Sequence, residues 1–221
     1  MQSDLTTVAD NLCKSTSDSS ANRDHRFEMR LWIIMLVLAN FGLLFGQVPA
    51  TNLMFDPAAV AAGEWWRVLT WPLAHVSRYH LLLDGSAFLL LYTGFEERLP
   101  LRRLGLVFFT AAGSLLLPLA IAPEIYRYGL CGLSGIAHGL ATASALEMLR
   151  HRQLKRIGSW LLSGLLLKSC WELLSGTAFL QHLHLGDIGQ PIVATHAGGV
   201  IGGLLGYIFI RLLANSRSSG G

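Results

Sequence analysis

The sequence predicts an all-α membrane protein folded as a bundle of six transmembrane helices, and three observations predict it. Only 14% of the 221 residues are charged, against 52% hydrophobic, where a soluble domain carries nearer a quarter charged. The charges gather in short clusters separated by long apolar runs. A helix crosses a ~30 Å hydrocarbon layer with roughly 20 such residues. Of the 17 Lys and Arg residues, thirteen fall on one side of this map. Three (Arg67, Arg78 and Arg127) fall on the other, and Lys168 lies inside a span. Such a bias places the richer side in the cytoplasm. The net charge of +3 therefore reads as topology, and no nucleic-acid partner is expected.

Residues 1–30 are rich in Ser, Asp, Asn and Thr and predict a polar cytoplasmic tail. They lack a cleavable signal pattern, so the first span is expected to stay in the mature protein. The membrane domain covers 31–213. Span 1 runs from Leu31 to Val48, and the next loop holds Glu64-Trp65-Trp66-Arg67, whose indoles suit the headgroup layer. Span 2, Tyr79 to Phe95, carries His80 and Asp84. A charged turn of Glu96, Glu97, Arg98, Arg102 and Arg103 leads to span 3, Leu104 to Ala122, which has no charge. Span 4 covers Leu133 to Leu149, and the basic loop at 150–156 precedes span 5, Ile157 to Gly176, with Lys168 and Glu172. A loop with His182, His184 and Asp187 reaches span 6, Ile192 to Leu213, and 214–221 is a short polar tail. Both termini are expected in the cytoplasm. Cys13, Cys131 and Cys170 are odd in number and unpaired in spacing, so they predict neither disulfide nor metal site. No cofactor is expected.

Polar groups are costly in lipid, at least ~2.5 kcal/mol for a charge, so those within spans are the candidates for chemistry. Ser134 lies in Gly132-Leu133-Ser134-Gly135 at the start of span 4. Unpaired N–H groups and the helix dipole favour an oxyanion there. The same residues also read as a small-residue cap easing helix packing. His196 on span 6 reads either as a general base or as a histidine bonded between helices. Glycines at 199 and 203, and at 198 and 202, permit close approach to another helix. His80 and Asp84 stand four apart on one helix face, with His75 just before them. They read as a local pair stabilising a buried polar patch or, less well, as metal ligands. Lys168 and Glu172, also four apart, read as an ion pair that lowers the cost of insertion or as groups facing a cavity.

Taken together, Trp66-Arg67, His75, His80, Asp84, Glu96, Arg98, the Gly-Leu-Ser-Gly string and His196-Ala197-Gly198-Gly199 with Gly203 resemble the rhomboid proteases over about 31–213. The resemblance implies a six-transmembrane-helix rhomboid-like bundle with a Ser134–His196 dyad, no third acid and no metal, in a hydrated cavity below the outer surface. It implies that His80, the position of Asp84 and the Ser134 N–H serve the oxyanion. Span 5 and the loop after it would be the gate by which transmembrane protein substrates enter from the lipid bilayer. The family pattern has asparagine at the position of Asp84, so this carboxyl is either a protonated donor or the group that orients His80. His138, one turn after Ser134, is placed to stack on or bond to His196. The string Gly-Leu-Ser-Gly-xxx-His-Gly looks similar to the rhombosortases, a subgroup associated with Gly-Gly-containing C-terminal sorting helices. The expected location is a bacterial inner membrane. A non-catalytic rhomboid-like binder of transmembrane helices and a small histidine-based transporter are the competing classes.

Overall fold

Local signals start and stop the helices where side chains can meet the unpaired backbone groups of a helix end. The computed structural model describes residues 25–95, 99–179 and 186–218. Six long helices dominate it: α1 (25–39), α2 (Arg78–Gly94), α3 (Pro100–Ile121), α4 (Ser134–Arg150), α5 (Lys155–Ser175) and α6 (Ala194–Ser218). The Ser77 hydroxyl caps α2 by accepting the His80 N–H. Pro100 opens α3 at a position where its missing N–H costs nothing. α5 ends at Gly176, whose φ of 68° is the left-handed stop that glycine tolerates best.

Span 1 departs from expectation halfway along. Its helix stops at residue 39, and a separate short helix, Phe41–Leu44, follows. Buried Asn40 makes the break: its Nδ2 donates to Leu36 O at 2.8 Å and to Leu73 O at 2.7 Å. Its Oδ1 accepts the His75 N–H at 3.1 Å, so the side chain holds the segment that leads into α2. At the other end, residues 25–30 are already helical and belong to α1 rather than to a separate tail; residues 1–24 lie outside the described residues. α6 likewise continues to Ser218.

The chain is all-α, with no β-sheet among the described residues. One isolated bridge, Phe55 to Leu130, joins the loop after α1 to the loop before α4. Among the described residues, two helical segments, Pro100–Ile121 and Ala194–Asn215, are long and apolar enough to cross a membrane. Six such segments were expected, and the shortfall has physical causes. α2 and α4 have 17 residues each, about 25 Å at ~1.5 Å per residue. α5 is longer but carries Lys155, Arg156, Lys168 and Glu172.

α6 packs between α3 and α4, and α4 in turn lies between α6, α2 and α5. The main core joins Leu36 of α1, Phe88 and Tyr92 of α2, Leu106 of α3, Ile136 and Leu140 of α4, and Tyr207 of α6. Below it, Arg103 of α3 donates to both Glu28 oxygens at 2.9 Å, and the Tyr92 hydroxyl donates to Glu28 Oε2 at 2.6 Å. This pair is buried and clamps α1, α2 and α3 together. Removing one partner leaves a buried charge uncompensated, at about 3 kcal/mol or more. Glu28→Ala is therefore expected to lower the detergent melting temperature markedly. Glu28→Gln combined with Arg103→Met should recover much of the loss, and an unchanged melt in Glu28→Ala would show that the clamp contributes nothing.

Candidate active site

A cavity of about 390 Å³ opens among α2, α4, α5 and α6, and Ser134, His138, His196, His80, Asp84 and Glu172 line it. Ser134 is the first residue of α4, so its hydroxyl stands at the positive end of the helix. Gly132, two residues earlier, has φ of +95°, and a Cβ there would come within 2.6 Å of Asp84 Oδ2 and 2.9 Å of His80 Cε1. Only glycine fits that turn.

His196 reaches Ser134 from α6. Its Nε2 lies 3.2 Å from Ser134 Oγ, although 62 residues separate the two in sequence. Close packing brings them together: a Cβ on Gly199 would lie 1.8 Å from Gly135 O, and one on Gly203 would lie 2.2 Å from Gly139 O. The His138 ring stacks on His196, with centroids 4.3 Å apart and planes inclined by 17°. Its Nδ1 lies 2.7 Å from Ser134 O. His138 thus holds both the imidazole plane and the first turn of α4.

Asp84 is buried on α2 and does something the sequence did not announce. Its Oδ2 accepts the Leu133 N–H at 2.9 Å, accepts the Ser134 N–H at 2.9 Å, and lies 3.1 Å from His80 Nε2. Leu133 offers no side-chain cap to α4, and the carboxylate of another helix supplies it instead. Oδ2 is therefore an acceptor for two backbone N–H groups and lies beside His80. The Ser134 N–H, expected to face an oxyanion, is engaged by Asp84 here. His75 is fully buried behind the pair: its Nδ1 is 3.1 Å from Leu73 O, and its ring meets His80 edge-on at 5.0 Å. Among the described residues, no three His, Cys, Asp or Glu side chains are grouped to hold a metal ion.

Glu172 is the residue sequence reasoning left aside. The resemblance implied a pair without a third acid, yet Glu172 Oε2 lies 2.8 Å from His196 Nδ1, on the side of the ring away from Ser134. Lys168 donates to Glu172 Oε1 at 2.7 Å, so the expected ion pair is present and also faces the cavity. The signal was a carboxylate at mid-span, where burial is costly. Its four-residue spacing from Lys168 supplied a local explanation that hid the distant one.

Outside the cavity, Arg67 forms an ion pair with Glu64 at 2.6 Å and donates to Thr51 O at 2.6 Å and Met54 O at 2.8 Å. Trp66 Nε1 donates to Asn52 O at 3.2 Å. Together they staple the loop between α1 and α2, and Trp65 projects outward. Cys131 and Cys170 are free thiols. Asp187 Oδ1 accepts from the Gly189 N–H at 2.7 Å, and its carbonyl accepts from the Ser77 hydroxyl that caps α2. His182, His184, Glu96, Glu97 and Arg98 lie outside the described residues.

Residues 62–213, about two thirds of the chain, match the family model of the rhomboid domain. Among curated proteins, none matches the chain.

Proposed function

Because the chain belongs to the rhomboid family, we propose that it is an intramembrane serine endopeptidase, with Ser134 as nucleophile and His196 as its base. The observation that carries this reading is the 3.2 Å approach of His196 Nε2 to Ser134 Oγ inside the cavity. That is within the range at which a neutral imidazole takes a hydroxyl proton. Ser134 Oγ attacks the scissile carbonyl carbon as its proton passes to Nε2. The imidazolium then returns the proton to the leaving amine. The start of α4 supplies the dipole for the oxyanion, and the His80 Nε2–H, 3.1 Å from Asp84 Oδ2 at rest, is the donor that turns from the carboxylate to meet it.

The substrates are transmembrane segments of membrane-anchored proteins. Large apolar side chains on five helices face outward, among them Leu38, Leu90, Phe108, Trp160 and Leu212. Apolar faces of that extent suit a lipid environment, and they support six membrane crossings, four of them shorter or more polar than the usual span. We place both termini in the cytoplasm of a bacterial inner membrane, on the bias of Lys and Arg. The string from Gly132 to Gly139, with His138 stacked on the base, supports rhombosortase-type cleavage of Gly-Gly-containing C-terminal helices.

A serine-directed fluorophosphonate applied to the purified chain in detergent tests the assignment. Labelling is expected in the wild type and lost in both Ser134→Ala and His196→Ala. Labelling that survives Ser134→Ala would refute the nucleophile. Cleavage of a fusion ending in a Gly-Gly sorting helix, compared with one lacking that dipeptide, tests the substrate class.

A further inference from the structure

We infer that Glu172 is a positioning residue that fixes the tautomer of His196, an inference that rests on the Ser134–His196 reading above. A neutral imidazole carries one proton on two nitrogens, and the partner of one nitrogen decides where it sits. For Nε2 to accept the Ser134 proton, Nδ1 must hold the hydrogen. Two groups of α5 compete for Nδ1. Glu172 Oε2, at 2.8 Å, can only accept from it. Lys168 Nζ, at 3.3 Å, can only donate to it. If the ammonium won, the ring hydrogen would move to Nε2 and point at Ser134, and the base would be lost.

The geometry decides the contest for the carboxylate. Glu172 is nearer, and the Lys168 ammonium is already directed to Glu172 Oε1 at 2.7 Å. The Phe179 N–H donates to the same oxygen at 2.9 Å, which locks the carboxylate from the far side. Glu172 is 1% exposed, so its charge is held by these three donors rather than by water. A carboxylate buried at this cost for packing alone would need only Lys168. The second oxygen, aimed at His196, is what the ion pair leaves unexplained.

During attack the proton leaves Ser134 Oγ for His196 Nε2 as the Oγ–carbon bond forms. Glu172 takes no proton; it balances the imidazolium that results. The ionisable groups facing His196 are Glu172 and Lys168 from α5 and His138 from α4. Lys168 opposes the positive ring, and Glu172 offsets both cations. The arrangement also ties the base to the segment following α5: the Phe179 N–H holds the carboxylate that holds the ring.

The test measures steady-state cleavage of a quenched-fluorescent transmembrane peptide by the full-length protein in detergent, with fluorophosphonate labelling alongside. Glu172→Gln is expected to lower kcat by at least about 10²-fold, towards the ~10⁴-fold loss that follows when an orienting carboxylate becomes an amide, with KM within about threefold. Glu172→Asp should recover at least about tenfold of that loss, since it restores the acceptor on a shorter stem. Glu172→Gln in a Lys168→Met background separates the two roles. If Glu172 orients His196, the double variant stays at least about tenfold below Lys168→Met alone. If Glu172 merely neutralises Lys168, the two come closer than that, and the inference fails. It fails also if Glu172→Gln raises KM and spares kcat. Should Glu172→Gln not fold, Glu172→Asp and the double variant carry the same comparison. A wild type that takes no label, or a Ser134→Ala variant that keeps it, would instead sink the reading on which this inference stands.

Discussion

Replacing Gly199 with valine is expected to abolish cleavage and to destabilise the bundle. A Cβ at that position would sit 1.8 Å from Gly135 O, a backbone atom inside helix α4 that cannot rotate away. One turn on, a Cβ on Gly203 would lie 2.2 Å from Gly139 O of α4, while Cβ atoms on Gly198 and Gly202 would lie 2.1 Å from Gly113 O and 2.3 Å from Phe109 O of α3. α6 is thus wedged on both sides through backbone contact, and any side chain on Gly199 forces it off α4. Overpacking of this kind costs about 1–3 kcal/mol where side chains can adjust, and here the obstacle is main chain. The catalytic consequence is larger, because His196 is one turn before Gly199 and Ser134 is next to Gly135. A shift on the order of 1 Å takes the 3.2 Å Oγ–Nε2 separation beyond hydrogen-bond reach, and misplacement of that size costs about 10²-fold in rate. Cleavage and fluorophosphonate labelling should both fall below detection, and the melting temperature should drop. Gly164→Ala on α5, where an added Cβ meets nothing within 4 Å, is the control expected to change neither. An active Gly199→Val would mean that the close approach of α4 and α6 is dispensable.

Those glycines also show how far the sequence could be read. Their spacing announced that span 6 would approach a neighbour closely, yet a repeat along one helix does not name the neighbour. Positions 198 and 202 turned out to serve α3, and 199 and 203 to serve α4. Helices α2 to α5 were legible to within a few residues, since apolar runs and caps are local features. The break at Asn40 was not. It depends on an acceptor at Leu73 and a donor at His75, more than thirty residues away. Glu172 was hidden for the opposite reason. Lys168, four residues earlier, supplied a complete local account, whereas His196 is 24 residues distant. Asp84 was legible as an exception to the family pattern, but not as the cap of α4. Its partners are backbone N–H groups, which leave no mark in a sequence.

Asp84→Ala is expected to lower cleavage by at least about 10²-fold, the scale set by losing one donor of an oxyanion site, while Asp84→Asn preserves or raises it. The contrast follows from what Oδ2 now holds. Alanine removes the acceptor for the Leu133 and Ser134 N–H groups and for His80. Two backbone donors at the buried start of α4 are then orphaned, at about 1–3 kcal/mol each. Ser134 loses its anchor and His80 its orientation in the same step. Asparagine keeps an oxygen in that place, so the cap and the His80 contact survive. What it removes is the negative charge beside the point where the oxyanion forms. Two unit charges ~4 Å apart repel by about 4 kcal/mol at an effective dielectric of 20, so a neutral amide yields the Ser134 N–H to the oxyanion more readily than a carboxylate does. The gain is partly offset by a weaker hold on His80, which leaves retention or a modest rise as the expected result. Both variants are read by kcat on the transmembrane peptide, with a thermal melt to separate unfolding from lost chemistry. If Asp84→Asn melts like the wild type yet fails to cleave, the charge itself is required. His80 would then have to be held as a cation, with Asp84 as its counter-ion, and the oxyanion would be met by a full positive charge rather than by a neutral donor.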